Sequence, residues 1–460
     1  MYITYGREVY KKLPIPYIVY AFGRFMYARR RPCMLIYLIL CSKHIHMKIP
    51  TMRTSMQFLL ALALSGIITS SCTPTRHRAA QQLIDDNVTL AATQLDMLDR
   101  ESHAADGTLR IPSTFRDDAV QFVPVDDWVS GFFAGSLWYL HHLTGNPEWA
   151  ARARQHTLLL DSVQYLRWHH DVGFMINASY GNALRYGPEA GDTDVIITAA
   201  RSLATRFRPD AGIIQSWNVD NGWQSQRGWL CPVIIDNMMN LELLFKASEL
   251  SGDSELREIA VSHADRTLSE HFRPDGSCYH VVDYDPETGA VRRRCTAQGY
   301  SDDSAWSRGQ AWAIYGYTLC YRYTGDERYL EQALKTWRFM ADHPRRAADG
   351  VPYWDMDDPA IPDTYRDVSS AAIIASALYE LSTYTDDASL VASADELIES
   401  LSTDAYRAQA GQNGGFLLMH SVGSIPHGSN IDVPLNYADY YLLEALSRKC
   451  NLENGAPVLL

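Results

Sequence analysis

The sequence lacks the motifs that mark several common catalytic sites. It contains no Walker-type phosphate loop, no GxSxG elbow, no HExxH helix and no glycine fingerprint for a dinucleotide. These absences argue against P-loop nucleotidases, α/β-hydrolases, zinc proteases and Rossmann dehydrogenases. Any chemistry in this chain must therefore come from other residue types.

Positive charge is also scarce. The chain has 41 Lys and Arg against 54 Asp and Glu, a net charge of −13, and no long basic run after its leading segments. Nucleic acid is therefore not expected as a partner. A ligand that carries negative charge would need a cationic site built locally against this background.

Cysteine is infrequent and shows no motif. After residue 72 an odd number remains, with no CxxC pair: Cys231, Cys278, Cys295, Cys320 and Cys450. This spacing predicts neither a disulfide framework nor a zinc site. A Cys278–Cys295 bridge stays open for an exported protein.

The N-terminal part has the pattern of an export signal. Residues 52–72 begin with positive charge, continue as an apolar run over 58–68 and end in small residues before Cys72. The run is too short for a spanning helix. It predicts a bacterial lipoprotein signal in which Cys72 becomes the lipidated first residue, with an ordinary secretory signal as the alternative.

Residues 1–46 precede that signal, although export signals stand at the N-terminus. We therefore interpret 1–46 as a non-native upstream extension, with a longer N-terminal anchor as the alternative, and expect translation to start at Met47, Met52 or Met56. The organisation predicted is a signal over 47–72 and a single domain over 73–460. The protein would be exported to the periplasm or outer membrane of a Gram-negative bacterium, touching the membrane only through its lipid.

Aromatic residues and helical hairpins are plentiful. The chain has 11 Trp and 27 Tyr. The turn "LTGNPEW" (143–149) recurs as "LSGDSEL" (250–256), "YTGDERY" (323–329) and "YTDDASL" (384–390), each between two helical runs. In the first three turns Gly ends one helix, and in all four Asp or Asn caps the next. The first two turns are farther apart along the chain than the later ones, which leaves room for one more hairpin, near 194–207.

Repeated hairpins of this kind predict either an open α-solenoid or a closed ring. Long Gly- and Trp-rich insertions lie over 215–232 and 274–312. They favour the ring, because the loops at one end of a closed barrel converge on one site. We therefore predict an all-α toroid of paired helices.

Two carboxylates stand in apolar surroundings. Asp236 lies in "CPVIIDNMMNLELLF", which predicts a helix from Pro232 with Asp236 in its early turns. The Ile and Met neighbours would desolvate the carboxyl and raise its pKa; the alternative is an Asp that favours the helix dipole or caps an amide. Asp171 follows His169 and His170, and a simple Asx turn is its alternative. Paired carboxylates in an aromatic-lined barrel suit acid/base chemistry on sugars.

Five blocks of the sequence, taken in order, resemble one enzyme family. They are "DWVSGFFAGSLW" (127–138), "HHDVGF" (169–174), "IIDNMMNLELLF" (234–245), "SRGQAWAIYGY" (307–317) and "GSNIDVPLNYADYYLLEAL" (428–446). The chain resembles the unsaturated glucuronyl hydrolases, glycoside hydrolase family 88, over about residues 80–447. The resemblance implies an (α/α)6 barrel over the predicted domain and a reaction that uses no metal and no organic cofactor.

The resemblance also assigns roles to individual positions. Asp236 matches the catalytic acid/base and Asp171 matches its companion. Trp217, with Trp223 as the alternative, matches a Trp upstream of the acid, and Ser424 and Ser429 fall in a loop near the leaving sugar. The other positions matched to substrate binding are Trp128, His170, His280, Gln298, Arg308 and Trp312. Of these, Arg308 is suited to a forked contact with a carboxylate.

The activity implied is hydrolysis of a small unsaturated oligosaccharide. The enzyme would remove a 4,5-unsaturated uronic acid from the non-reducing end of lyase-generated fragments, in particular glycosaminoglycan disaccharides, by hydrating the C4=C5 vinyl ether. One alternative is an unsaturated rhamnogalacturonyl hydrolase that acts on pectin fragments. The other is a non-catalytic glycan-binding lipoprotein, which would need only the aromatic residues and Arg308.

Overall fold

The helices alternate along the chain between two patterns of burial. The computed structural model describes residues 78–459, which lie in one compact unit. In one pattern every face is covered, as in the helix Val368–Leu381, all of whose residues are buried. In the other a single stripe is covered, as in Ala388–Leu401. The first pattern belongs to a helix inside the protein, and the second belongs to one that covers it.

Within residues 78–459 the helices form six inner and outer pairs. The outer helices are α1 (residues 78–102), α3 (Pro147–Leu158), α6 (Asp192–Ala204), α8 (Ser254–Glu270), α10 (Glu327–Ala341) and α12 (Ala388–Leu401). The inner helices are α2 (Phe132–Thr144), α4 (Val172–Ile176) with α5 (Asn182–Tyr186), α7 (Asn237–Ser251), α9 (Ser307–Thr324), α11 (Val368–Leu381) and α13 (Asn436–Glu453). A π turn at Asn177–Gly181 joins α4 and α5 into one inner helix.

The inner helices close into a ring. Around the ring, α5 packs on α2, α4 on α7, α7 on α9, α9 on α11, α11 on α13 and α13 back on α2. This closure rules out the open solenoid and confirms the predicted (α/α)6 barrel. The extra hairpin expected near 194–207 is present as α6 and its inner helix.

The predicted turns set the hairpins. Gly145, Gly252 and Gly325 end α2, α7 and α9 in the left-handed conformation, with φ of 66°, 75° and 68°. The next residue in each case, Asn146, Asp253 or Asp326, accepts a hydrogen bond from a backbone N–H of the following outer helix. Glycine is needed at these turns because a left-handed residue with a Cβ is strained.

The structure also contains short strands between the helices, which the all-α prediction does not include. Within the described residues they form antiparallel sheets of order β1-β2, β3-β4, β5-β6-β7 and β8-β9. Their bounds are β1 Ile111–Arg116, β2 Ala119–Val123, β3 Phe207–Arg208, β4 Ile213–Ile214, β5 Cys231–Ile234, β6 Val281–Tyr284, β7 Val291–Cys295, β8 Ser421–Ser424 and β9 Ser429–Val433. Strands in the loops therefore shape the mouth of the barrel, while helices form its body.

The predicted helix from Pro232 is wrong. Residues 231–234 form β5, in which Cys231 pairs with Tyr284 and Ile234 with Val281, and α7 begins only at Asn237. β-Branched residues in this segment favour the strand once β6 is available as a partner. Asp236 therefore stands at the junction of a strand and a helix.

Of the remaining expectations, only the one on the cysteine bridge has a definite outcome. Cys278 and Cys295 are both free buried thiols, so the bridge left open between them is absent. Within residues 78–459, no helix is both long and apolar enough to cross a membrane. The extension over 1–46, the signal over 47–72 and Cys72 lie outside the described residues.

Candidate active site

A cavity of about 290 Å³ lies at the end of the barrel where inner helices begin. Asp171 directly precedes α4, Asp236 directly precedes α7, and Arg308 is in the first turn of α9. The lining residues are Trp128, Asp171, Trp217, Trp223, Gln224, Ile234, Asp236, Gln298, Arg308, Ser424, His427 and Ser429. Helix N-termini carry partial positive charge, so this end of the barrel suits a negatively charged ligand.

The Asp236 carboxyl is placed to exchange a proton near neutral pH. It occupies the N-cap position of α7 but makes no capping hydrogen bond, which removes the capping alternative. Burial raises its pKa to about 7, with Arg308 opposing the rise and Asp171 adding to it. Its Oδ2 atom is buried and has no hydrogen-bond partner among the described residues. The carboxyl is thus available to a ligand as an acid.

His280 presents an N–H to Asp236 from behind the cavity wall. Its Nδ1 accepts hydrogen bonds from the backbone N–H groups of Ala297 and Gln298, at 3.1 and 3.2 Å. The proton of the neutral ring is therefore on Nε2, which lies 3.9 Å from Asp236 Oδ2. Burial lowers the pKa of His280, so the ring stays neutral. His280 is buried and supports Asp236 without lining the cavity.

Asp171 is the second carboxylate of the cavity. Burial acts to raise its pKa, but the neighbouring His170 and His169 outweigh that effect, and the pKa lies below its usual range. His170 Nε2 is 3.3 Å from Asp171 Oδ1. Asp171 makes no side-chain cap, so the Asx-turn alternative does not hold. The two carboxyls of this cavity thus have pKa values displaced in opposite directions, which is the arrangement that separates acid from base.

His169 fixes the backbone of Asp171 more than it fixes the carboxylate. His169 Nδ1 accepts the N–H of Asp171 at 3.0 Å, and its Nε2 lies 3.2 Å from the carbonyl oxygen of Asp126. Nδ1 is thus engaged by the backbone N–H, although Asp171 Oδ2 also lies 3.3 Å from it. We assign the larger part of the effect that favours the ionised Asp171 to His170, with His169 adding to it.

Arg308 does not offer the free fork that the sequence predicts. Its guanidinium is buried, and Nη1 donates to Asp367 Oδ2 at 2.9 Å and also to the carbonyl oxygen of Val422. Nη2 donates to the carbonyl oxygen of Gly423 at 2.6 Å. Arg308 therefore fastens the β8 segment to the barrel, and only its remaining N–H groups are left for a ligand in the cavity that it lines. The sequence could not show this, because Asp367 and Gly423 are far from Arg308 along the chain.

The predicted tryptophans divide into two groups. Trp128, Trp217 and Trp223 line the cavity, and the rings of Trp217 and Trp223 lie edge to face with centroids 5.0 Å apart. Both candidates for the upstream Trp are thus at the site. Trp312 is fully buried against Phe174 and is not among the cavity-lining residues, so its predicted contact with the sugar ring is corrected to a contact with the side chain of Asp236.

The β8–β9 hairpin places both predicted serines at the cavity. Ser424 and Ser429 face each other across the hairpin, and Ser424 Oγ lies 2.7 Å from His427 Nδ1. Burial and the nearby Arg227 lower the pKa of His427. This part of the wall therefore offers hydroxyl and neutral imidazole groups. Gln298, also predicted, lines the cavity from the loop that His280 holds.

Several lining residues were not predicted from the sequence. Gln224 and Ile234 line the cavity, and Arg227 lies over the rings of Trp223 and Trp229 at 5.5 and 5.6 Å. The signal for most of them was the long Trp-rich insertion, whose turns at Gly222 and Gly228 (φ 62° and 67°) fold Trp223–Arg227 over the cavity. Among the described residues, no group of three His, Cys, Asp or Glu could hold a metal ion.

A closed helical barrel with a protonatable and an ionised carboxyl in one tryptophan-lined cavity has the features of a carbohydrate-processing enzyme. Residues 187–457 match the family model described as Glycosyl Hydrolase Family 88. The chain is 46% identical to an unsaturated glucuronyl hydrolase of Formosa agariphila, over 73% of this chain and 83% of that protein. It is 33% identical to an unsaturated chondroitin disaccharide hydrolase of Streptococcus pyogenes serotype M1, over 73% and 84%.

A solved structure shows the same architecture. It is an unsaturated glucuronyl hydrolase specific for heparin, with a TM-score of 0.77, 41% identity, and coverage of 81% of this chain and 98% of that chain. The chain therefore belongs to glycosyl hydrolase family 88 and is a glycoside hydrolase.

Proposed function

We propose that the enzyme removes a 4,5-unsaturated uronic acid from the non-reducing end of lyase-generated glycosaminoglycan disaccharides. The observation that carries the proposal is the pair of carboxyls in one cavity, with the pKa of Asp236 near 7 and that of Asp171 below its usual range. The names of the relatives support the same substrate class.

The first step is protonation of the double bond. The unsaturated sugar is a vinyl ether, so a proton added at C4 leaves positive charge shared between C5 and the ring oxygen. Asp236 is protonated in part at neutral pH, and its Oδ2 atom has no hydrogen-bond partner among the described residues. Asp171, as a carboxylate on the same cavity, stabilises the developing positive charge.

The second step is addition of water at C5. Asp236, now a carboxylate, takes the proton of the attacking water and returns to its starting state. The C5 hemiketal then opens as the ring oxygen leaves C5, which becomes a ketone. The hemiacetal left at C1 collapses and releases the neighbouring sugar. Because the anomeric carbon is not attacked, the carboxyl separations of retaining and inverting glycosidases do not govern the outcome.

The test is the loss of ultraviolet absorbance of the double bond, measured on a panel of unsaturated disaccharides from chondroitin, hyaluronan, heparin and rhamnogalacturonan. We expect turnover of the glycosaminoglycan products. Turnover of the rhamnogalacturonan product alone would favour the pectin enzyme, and binding without any loss of absorbance would favour a glycan-binding protein.

We further propose that the β8–β9 hairpin recognises a sulfate group on the leaving sugar. The hydroxyls of Ser424 and Ser429 line the cavity, and hydroxyls and backbone amides bind sulfate oxygens without a full charge. Replacing both serines by Ala should lower kcat/KM for sulfated disaccharides, by an amount equivalent to roughly 1–3 kcal/mol of transition-state stabilisation for each lost hydrogen bond. The kcat/KM for unsulfated disaccharides should stay nearly unchanged.

Ser421→Ala is the matched control for this pair, because Ser421 is on the same hairpin, is buried, and has a hydroxyl without a hydrogen-bond partner among the described residues. It should leave both classes of substrate unaffected. If the Ser424/Ser429 variant loses kcat/KM equally on sulfated and unsulfated substrates, the hairpin does not recognise sulfate.

We also propose that Cys72 is lipidated and anchors the enzyme to a bacterial membrane. The apolar run over 58–68 followed by small residues and Cys72 supports it. Expressed in a Gram-negative host, the wild-type chain should sediment with membranes and Cys72→Ala should not. Wild-type protein found in the soluble fraction would point to the ordinary secretory signal.

A further inference from the structure

Asn240 connects the helix that follows Asp236 to the histidine beside Asp171. It is fully buried in the first turns of α7. Its Oδ1 accepts the backbone N–H of Phe174 at 2.8 Å, and its Nδ2 lies 3.4 Å from His170 Nδ1. The orientation of the amide is fixed, because the N–H of Phe174 needs an acceptor and the NH2 group is thereby turned towards His170.

This contact bears on the position of the proton on His170, and the side chain of Asn237 also forms a hydrogen bond with the ring. Burial lowers the pKa of His170, so the ring is neutral and carries one donor and one acceptor. An amide NH2 that faces Nδ1 makes Nδ1 the acceptor and places the proton on Nε2. That Nε2 is buried, has no hydrogen-bond partner among the described residues, and lies 3.3 Å from Asp171 Oδ1 in a close electrostatic contact.

We propose that Asn240 is a positioning residue, which holds His170 in the Nε2–H tautomer so that its N–H favours and orients the Asp171 carboxylate. The inference rests on the proposed function only for its effect on turnover. The other charged and titratable groups that act on His170 and Asp171 are His169, Arg206, Asp127, Asp236 and His263. Arg206 donates from Nε and Nη1 to the carbonyl oxygens of Gln215 and Arg167 and acts on Asp171 only through its charge, so His170 is the nearer N–H group towards Asp171.

The packing of the two inner helices makes this contact available. A Cβ on Gly173 would lie 2.4 Å from Asn240 Oδ1 and 2.5 Å from its Cα. Only glycine at this position lets α4 approach α7 closely enough for Asn240 to reach both the Phe174 N–H and His170. The glycine before Phe174 and the asparagine after Asp236 thus form one arrangement.

The test is Asn240→Asp, which keeps the acceptor for Phe174 but turns a carboxylate oxygen towards His170 Nδ1. The spectra are recorded at about pH 9, where the introduced carboxyl is ionised; two acceptors cannot face each other without a proton, so we expect Nδ1 to become protonated. The tautomer is measured by solid-state ¹⁵N NMR of the full chain with labelled histidine, and the His170 signal is assigned by its loss in His170→Gln. We expect kcat to fall roughly 10²-fold with a smaller change in KM, since a wrong histidine tautomer disables the carboxylate beside it.

Asn182→Asp is the matched control, because Asn182 is also a buried amide of the inner ring, with its Nδ2 3.4 Å from the hydroxyl of Tyr440. An unchanged His170 tautomer in Asn240→Asp would overturn the proposal, and so would a loss of kcat no larger than in the control. If Asn240→Asp does not fold, Asn240→Ala decides: we expect a mixture of tautomers, and a pure Nε2–H signal would overturn the proposal. These spectra need no substrate, so they stand even if the proposed reaction is wrong.

Discussion

Asp236→Asn should lower kcat by about 10²- to 10⁴-fold while leaving the barrel folded. The amide is close to the carboxyl in size but cannot give a proton to C4. In the wild-type enzyme the acid form is lost as pH rises through about 7, so kcat/KM should fall on that limb of the pH profile. Steady-state kinetics across pH, with circular dichroism to check the fold, measures both effects.

Asp439→Asn is the control for a buried carboxyl. Burial also raises the pKa of Asp439 to about 7, but its oxygens accept the backbone N–H groups of Leu417 and Leu418 and do not line the cavity. We expect it to keep kcat within a few-fold of the wild-type value. Near-normal hydrolysis by a well-folded Asp236→Asn enzyme would show that Asp236 is not the catalytic acid.

Asp236→Asn should also stabilise the protein above neutral pH. Because the folded-state pKa of Asp236 is raised from 3.8 to about 7, folding becomes less favourable as pH rises from about 4 to 7, and the cost is complete above that range. Asn carries no such cost. At pH 8 the free energy of unfolding of Asp236→Asn should therefore exceed that of the wild type by roughly 1–4 kcal/mol, measured by urea denaturation.

Asp171→Asn should lower kcat by about 10²- to 10³-fold with substrate binding still detectable. The carboxylate is assigned to the positive charge of the transition state, so its loss should act on kcat more than on KM. Binding by calorimetry together with kcat by absorbance separates the two. A change confined to KM would show that Asp171 only places the substrate.

Asp127→Asn tests whether the loss of any nearby negative charge has the same effect. Asp127 acts electrostatically on Asp171, but its carboxylate accepts the N–H of Val129 and does not line the cavity. We expect at most a few-fold change in kcat. An equal loss in both variants would assign the effect to the general electrostatic potential.

The barrel could be predicted from local signals. At three hairpins the glycine that ends the inner helix and the Asn or Asp that begins the outer helix are encoded within a few residues of each other, as at Gly252 and Asp253. The segment before Asp236 was mispredicted because its apolar residues fit a helix or a strand equally well. Pairing with Val281–Tyr284, which lies beyond α8, decided the outcome.

The candidate site was less fully predictable, because its details depend on distant contacts. Asp171 and Asp236 stand out in sequence as single charges in apolar runs. Arg308 also stands out, yet its engagement by Asp367 and Gly423 is a tertiary fact. The same holds for Asn240, which reads as an ordinary polar residue of a helix until Phe174 and His170 are placed beside it.

The division between the body of the barrel and its mouth has an evolutionary consequence. Both carboxyls are set on the starts of inner helices, whereas hairpins and a tryptophan-rich turn build the remaining walls. Insertions in those walls can alter which sugar is admitted without shifting the acid or its companion. Substrate range and catalytic power can therefore diverge separately in this scaffold, and a lineage can adapt to a new polysaccharide by changing loops alone.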